Sequence, residues 1–199
     1  MLTFGVSGLL YQNDVLMYDH QSESLWSQIA IEAVTGPSLG HHLEPIFLEH
    51  ATWKTWSKHY PDTVVLSQQT EFSRDYSRDP YQHYALSDQV MFPLAKQDVR
   101  LSVKDWGLGV EIDGKSKAYP FSILEEIDEA YSHSLNGTDY RVCWDSYARN
   151  AKVLDHQSEP FPSLTVYWFA WYAFHPDAAI AQIPLIQSTL KQRVLNSAC

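Results

Sequence analysis

Short apolar runs separated by turn-forming residues make up most of the first third of the chain. Such runs are typical of strands, and Gly, Asn and Pro mark the points where strands end. Here Ser7-Gly8 ends the first run, and Gly36-Pro37 ends the fourth. The pattern predicts strands over Leu2–Val6, Val15–Tyr18, Leu25–Ile29, Glu32–Thr35 and Thr63–Ser67.

One short helix is predicted between the fourth and fifth of these strands. Thr52 is a suitable N-cap for it, because its hydroxyl can accept a hydrogen bond from the first turn. Trp53 and Trp56 would then lie on one face of a helix that ends near His59. Residues 68–105 are polar and lack any period, which indicates an irregular connecting segment.

The clearest element of the second half is a β-hairpin. Gly109–Ile112 and Ser116–Tyr119 flank Asp113-Gly114, a pair that favours the positive φ angles of a type I′ turn. Pro120 can open a helix that continues over Phe121–Ala130. Beyond it, the pattern predicts a turn at Asn136-Gly137, paired strands over Tyr140–Trp144 and Ala151–Leu154, a buried helix over Thr165–Phe174 (or a strand in its first half) and an amphipathic helix from Pro184 to about Asn196.

Two segments of the chain repeat each other. The pattern E-P-x7-W-x2-W-x4-P-D begins at Glu44 and again at Glu159, an offset of 115 residues without gaps. The pentapeptide that begins at Asp19 recurs unchanged at Asp155, an offset of 136. Repeats usually reflect duplicated supersecondary units. The hairpin of the first copy would fall before Met1, so we expect an N-terminally incomplete chain.

These patterns predict a β-rich α+β protein of duplicated strand-hairpin-helix modules with a C-terminal helix. Residues 1–67 would be the back half of the first module and 68–105 the irregular connection. Residues 106–182 would be the second module, and 183–199 the C-terminal helix. Sheet edges left unpaired by a missing hairpin would favour self-association.

Charge and composition argue against two classes of function, nucleic-acid binding and membrane spanning. With 14 Lys and Arg against 24 Asp and Glu, the net charge is −10, and no basic cluster could displace counterions from phosphates. Nucleic acid is therefore not an expected partner. No run of about 20 apolar residues predicts a membrane span. From the sequence as written we expect a soluble, cytoplasmic protein, or an extracytoplasmic one if an upstream export signal is missing.

The residues that best suggest ligand binding form a charged, aromatic loop, Arg74–Tyr81. Two arginines there could hold a polar or anionic small molecule by bidentate hydrogen bonds. The alternative is a self-paired network of ions that holds a long loop in place. The candidate binding residues are Arg74, Asp75, Arg78 and Asp79, with Tyr18 and Trp26 as nearby aromatic side chains.

Two other groups of residues give weaker indications of a functional site. His41-His42 with Glu44 matches no zinc spacing, because adjacent side chains of an extended segment point apart. No metal or cofactor is therefore predicted. The paired tryptophans of the repeat are expected in the core, although they could also line a groove for an aromatic or carbohydrate ligand.

Several long motifs resemble the domain of unknown function 3179 family of bacteria and archaea. The resemblance runs from Leu2 to about Ile180 and leaves out the residues after Pro184. The motifs are FGVSGLLYQNDVLMYDHQSESLWSQ, EAVTGPSLG, HYPDTVVLS, RDYSRDPY, GVEIDGKSKAYP and VYWFAWYAFHPD.

The resemblance implies a duplicated, β-rich α+β domain with no established activity. Many members carry an export signal or a lipid anchor, and members usually have a Tyr-Cys-Pro-x-Cys segment upstream of the position that matches Leu2. That segment is absent from this sequence, and the matching region of the second copy holds only Cys143. The chain is thus expected to be an uncharacterised member, with two alternatives: a small-ligand-binding module that uses Arg74–Tyr81, or the remnant of an exported thiol- or metal-dependent enzyme.

Overall fold

The computed structural model describes residues 1–126 and 131–182, a β-rich α+β arrangement of three four-stranded sheets and a few short helices. The first sheet is an antiparallel meander in chain order, built from four consecutive strands. Its strands are β1 (Phe4–Tyr11), β2 (Asp14–Asp19), β3 (Leu25–Ser27) and β4 (Glu32–Thr35).

Strand β1 continues through Ser7-Gly8, so the predicted break at that point is wrong. The pairing of β1 with β2 shifts register between Val6 and Leu10, as in a β-bulge. The Ser7 hydroxyl donates a hydrogen bond of 2.6 Å to the Leu16 carbonyl, and Gly8 takes a φ of 75°. A side-chain hydrogen bond and a glycine thus carry the strand through residues that usually end one.

The second sheet holds the predicted hairpin. Asp113 and Gly114 take φ angles of 49° and 74°, as a type I′ turn requires. The strand order is β11-β5-β6-β12, with β12 parallel to β6 and the other pairs antiparallel. Its strands are β5 (Trp106–Ile112), β6 (Lys115–Pro120), β11 (Leu164–Tyr167) and β12 (Ala179–Ile180).

The third sheet packs on the second and closes the main core. Its order is β10-β9-β8-β7, and β8 pairs with β9 as predicted. Alternate residues of β5 enter this core, so the residues between them face the other side of the second sheet. The strands are β7 (Tyr131–Leu135), β8 (Thr138–Asp145), β9 (Asn150–Asp155) and β10 (Pro160–Phe161), and central core residues are Leu108, Val110, Tyr119, Tyr140, Val142 and Val153.

The helices within the described residues are all short. The helix α1 (Trp53–His59) has the predicted bounds, and the Thr52 hydroxyl accepts from the Thr55 amide at 3.3 Å. For Thr165–Phe174 the sequence predicted a helix or, alternatively, a strand in the first half. The structure has the alternative, because β11 occupies the first part and α4 (Trp168–Phe174) the rest. The other described helices are α2 (Gln82–Ala85), inside the segment predicted to be irregular, and α3 (Phe121–Leu124), at the start of the predicted helix whose residues 127–130 lie outside the described residues. The predicted helix after Pro184 lies outside the described residues.

The strand predicted over Thr63–Ser67 is wrong. No regular structure forms there, and the side chains of Val64 and Leu66 are 92% and 96% exposed. β-Branched residues favour a strand mainly through packing against neighbouring strands, and this segment has no strand beside it.

The repeated sequence takes the same local backbone twice. Helices α1 and α4 are seven residues long and 115 positions apart, after residues with φ/ψ of −68°/147° and −71°/149°. The repeated pentapeptide forms the turn from β2 to β3 and the turn from β9 to β10. The environments differ, since Trp168 and Trp171 are buried as expected whereas Trp53 is 54% exposed. Duplication of whole modules stays a prediction.

Candidate functional site

A cleft of about 600 Å³ lies where the first sheet faces the outer side of the second. Its volume falls within the range of roughly 300 to 1,000 Å³ that small-molecule sites occupy. One wall comes from the residues that join β3 to β4, and the loop over residues 42–48 covers it. The apolar lining residues include Ile29, Ile31, Leu43, Ile46, Leu48, Leu164 and Trp171.

The floor of the cleft depends on a glycine in β5. Because Leu108 and Val110 point into the main core, Gly109 and Glu111 face the cleft. A Cβ atom at Gly109 would lie 2.4 Å from two carbons of the Trp171 ring, so only glycine lets the indole lie flat on the strand. Helix α4 is thereby held close to β5, with Trp171 as a wall of the cleft.

His175 follows the last turn of α4 and stacks on Trp171, with ring centroids 3.9 Å apart. Its side chain is 12% exposed, and its Nδ1 lies 3.7 Å from Oε2 of Glu111. Burial lowers the pKa of His175 to about 4, so the imidazole is neutral at neutral pH. A neutral histidine beside a carboxylate can accept a hydrogen bond from a bound molecule or donate one to it.

A second lobe of about 560 Å³ adjoins the cleft and shares Glu111, His42 and His175 with it. It is more polar, because Gln12 and Glu32 line it together with backbone of the segment after α4. The Gln12 Nε2 donates to the Ala173 carbonyl at 3.0 Å. The Gln12 Oε1 and the His175 Nε2 are buried without any hydrogen-bond partner, and both residues line the lobe.

The loop residues singled out from the sequence lie at the surface. Arg74, Asp75, Arg78 and Asp79 are all exposed, and the described residues show no ion pair among these four side chains. Instead each aspartate serves the local turn. Asp75 accepts from the backbone and hydroxyl of Ser77, and that hydroxyl bond lowers the pKa of its carboxyl. The self-paired ion network is therefore not what holds this loop.

The aromatic candidates lie in the first sheet, and no hydrogen bond joins them to that loop in the described chain. Trp26 is 3% exposed, and its Nε1 donates to Oδ2 of Asp19 at 2.9 Å. Tyr18 packs over Gly5, with its ring 4.9 Å from that of His20. Trp26 in this position supports the sheet and has no surface to offer a ligand.

Asp19 explains why Trp26 is placed there. The carboxylate is fully buried and accepts hydrogen bonds from the Ser22 amide at 2.5 Å, the Ser22 hydroxyl at 2.7 Å and the Trp26 indole. These donors, the Ser22 hydroxyl above all, lower the pKa of Asp19 to about 2. The first residue of the repeated pentapeptide is thus a structural anion.

Trp26→Phe is expected to lower the free energy of unfolding by about 2 kcal/mol, because Asp19 loses a buried donor and the core loses part of an indole. Urea unfolding would measure the change. Trp53→Phe is the matched control, since Trp53 is 54% exposed, and it should change stability by less than about 0.5 kcal/mol. Equal effects of the two substitutions would contradict the structural role of Trp26.

Sequence reasoning missed the residues that line the cleft. Glu111 and His175 lie in different elements and form no motif with each other, so no spacing pointed to them. One usable signal was that His175 occupies the repeat position filled by Tyr60 in the first copy. His42, whose sequence position matched no zinc spacing, is exposed, and its Nε2 lies 3.8 Å from Oε2 of Glu32 at the cleft. Within residues 1–126 and 131–182, no group of three or more His, Cys, Asp or Glu could hold a metal ion.

The fold and the cleft define a β-rich α+β protein with an apolar, histidine-bearing concavity between two sheets. A model of the DUF3179 family, described as a protein of unknown function, matches residues 1–178, and the chain belongs to that family. No curated protein and no solved structure matches the chain. No helix in the described ranges is both long enough and apolar enough to cross a membrane.

Proposed function

We propose that the protein binds a small molecule with an apolar body in the cleft beside His175. The observation that carries this proposal is the combination of a volume of about 600 Å³ with a mostly apolar lining and one buried, neutral histidine. Small-molecule sites typically combine apolar walls with a few polar groups that fix orientation. Burial of apolar ligand surface would supply most of the affinity, at roughly 25 cal/mol per Å² before the cost of association.

The loop Arg74–Tyr81 remains a second candidate, for a polar or anionic ligand. What favours it is that Arg74 and Arg78 are exposed, and that no carboxylate pairs with either in the described chain. The Arg74 guanidinium lies 5.8 Å from the centroid of the Phe72 ring. The loop lacks a concave wall of its own among the principal cavities, so it would bind more weakly than the cleft.

The remnant of a thiol- or metal-dependent enzyme has less support. Cys143 is 2% exposed in β8 and does not line the cleft, so it is not placed as an accessible nucleophile there. No trio of metal-ligating side chains occurs in the described chain. This alternative stays a prediction, as does self-association through sheet edges.

Nile red, a neutral dye whose emission responds to polarity, is a suitable probe of the cleft. Ile46 and Leu48 line the cleft yet are 81% and 67% exposed, so Ile46→Asp with Leu48→Asp should spare the fold. We expect this pair to weaken dye binding about tenfold, the effect of roughly 1.4 kcal/mol of lost apolar contact. Fluorescence titration measures it.

Two matched controls locate the dye. Val64→Asp with Leu66→Asp places the same charges on side chains outside the cleft that are even more exposed, and should leave binding unchanged. Arg74→Ala with Arg78→Ala should also have no effect. Unchanged binding in the Ile46 and Leu48 variant would overturn the cleft, and loss in the arginine variant would move the site to the loop.

A further inference from the structure

We infer that the molecule held in the cleft carries a cationic ammonium or guanidinium group, seated in the adjoining polar lobe between Glu111 and Glu32. The inference rests on the proposed function, because it names the ligand class of the same site. It joins three observations: the sign of the charges around the site, the kind of buried atoms left without a partner, and the position of the shared residues.

Carboxylates dominate the charged residues of the site. Among the residues that line the cleft and its lobe, one exposed lysine, Lys96, faces five acidic side chains. With the histidines counted as neutral, the site is strongly negative, as is the whole chain. Such charges favour a cation and repel an anion, with a strength that salt reduces because most of these carboxylates are solvent-exposed. The acidic lining residues are Glu32, Glu44, Glu111, Asp113 and Asp177.

Among the residues that line the polar lobe, the buried atoms without partners can accept hydrogen bonds, whereas the unpartnered Trp171 Nε1 of the apolar cleft is a donor. Because the Nε2 of Gln12 donates to the Ala173 carbonyl, its amide orientation is fixed and Oε1 is left as the free acceptor. His175 is neutral, and a proton on Nδ1, the nitrogen nearest Glu111, leaves the buried Nε2 with a lone pair. A ligand group that satisfies both atoms must donate hydrogen bonds, which ammonium and guanidinium do without competing acceptors.

The shared residues fix where the two parts of the ligand would lie. Glu111 and His175 line both the apolar cleft and the polar lobe. A cation beside Glu111 would therefore leave its apolar body along Leu164 and Trp171. Glu32, which lies 3.8 Å from the His42 Nε2, would complete the charge on the other side of the lobe.

Three eight-carbon ligands that differ in their polar group separate the contribution of the cation from that of the apolar body. Octylamine is charged near pH 7.5, octanol is neutral and octanoate is anionic, and each can be titrated against bound Nile red. We expect octylamine to displace the dye at a concentration at least tenfold below that of octanol, with octanoate weakest. Raising the NaCl concentration should shrink the preference for the amine, because salt screens charges near the surface.

Variants of the two carboxylates test the assigned seat. Glu111→Gln with Glu32→Gln should reduce the preference of octylamine over octanol about tenfold. Asp139→Asn, an exposed aspartate that does not line the cleft, is the matched control and should leave the preference unchanged.

The outcomes distinguish the ligand class from the cleft itself. Equal displacement by all three ligands, or a preference for octanoate, would overturn the cation while the cleft stands. The proposed function would be overturned if none of the three ligands displaced the dye and if the Ile46→Asp, Leu48→Asp variant bound the dye as tightly as wild type. An amine preference that survives loss of both carboxylates would overturn the seat at Glu111 and Glu32.

Discussion

Gly109→Ala is expected to lower the free energy of unfolding by about 3 kcal/mol, the upper end for a methyl group forced into a packed site. The new Cβ would lie 2.4 Å from carbons of the Trp171 ring, a distance that no real contact reaches. The ring is a large, buried group on a short helix, so the helix must shift away from β5 to relieve the clash. Because Trp171 walls the cleft, the same shift should abolish Nile red binding.

A second-site substitution separates the clash from a general cost of adding a side chain to β5. Trp171→Phe removes the outer ring of the indole, and the double variant should recover stability relative to Gly109→Ala alone. Urea unfolding of the single and double variants gives the coupling energy directly. If Trp171→Phe and Gly109→Ala simply add, the contact of the indole with Gly109 does not set the geometry of the floor.

The second large effect is a loss of folding stability at acidic pH. The pKa of His175 falls from its ordinary 6.5 to about 4 on folding because the side chain is buried. The unfolded chain therefore takes up a proton that the folded chain does not, and stability falls as the pH drops from 6.5 to 4. Above 6.5 the histidine contributes no penalty, and below 4 the loss is complete. We expect His175 to account for a loss on the order of 2 kcal/mol across this window, a figure reduced for its partial exposure.

His175→Phe should keep the stack on Trp171 and remove this contribution, which unfolding curves at pH 7 and pH 4.5 would show. His133, whose pKa burial also lowers to about 4, contributes in the same sense and is present in both proteins. Asp14, whose pKa burial raises, acts in the opposite sense and is likewise unchanged. The exposed His156→Phe is the control. An identical pH dependence of wild type and His175→Phe would contradict the buried, neutral histidine.

Local chemistry made several elements predictable from sequence. The turn at Asp113-Gly114 and the cap at Thr52 depend on residues next to each other in the chain, and both were correct. Where the outcome depended on distant partners, prediction failed. Thr63–Ser67 has the composition of a strand without a neighbour to pair with, and Ser7 sustains a strand through a bond to Leu16 that no local rule reveals.

The site was harder to predict than the fold for the same reason. Charged and aromatic residues close together in sequence drew attention to Arg74–Tyr81, which the structure places at the surface. Glu111 is brought to His175 only because Gly109 admits the Trp171 ring against β5. Because Gly109 matters through its contact with a helix much later in the chain, the residues next to it in sequence do not indicate its role.

Helices α1 and α4 share a length and end conformations, yet only α4 buries its tryptophans. Seven residues are too few for a stable helix in water without help. In α1 that help is local: the Thr52 cap, the stack of Trp56 on Tyr60 and the hydrogen bond from the Trp56 indole to the Thr63 hydroxyl. Amide hydrogens of α1 should thus exchange through local opening, whereas those of α4 wait for the surrounding sheet to open. One chain thus carries its own comparison of two helices of equal length, of which only one buries its tryptophans.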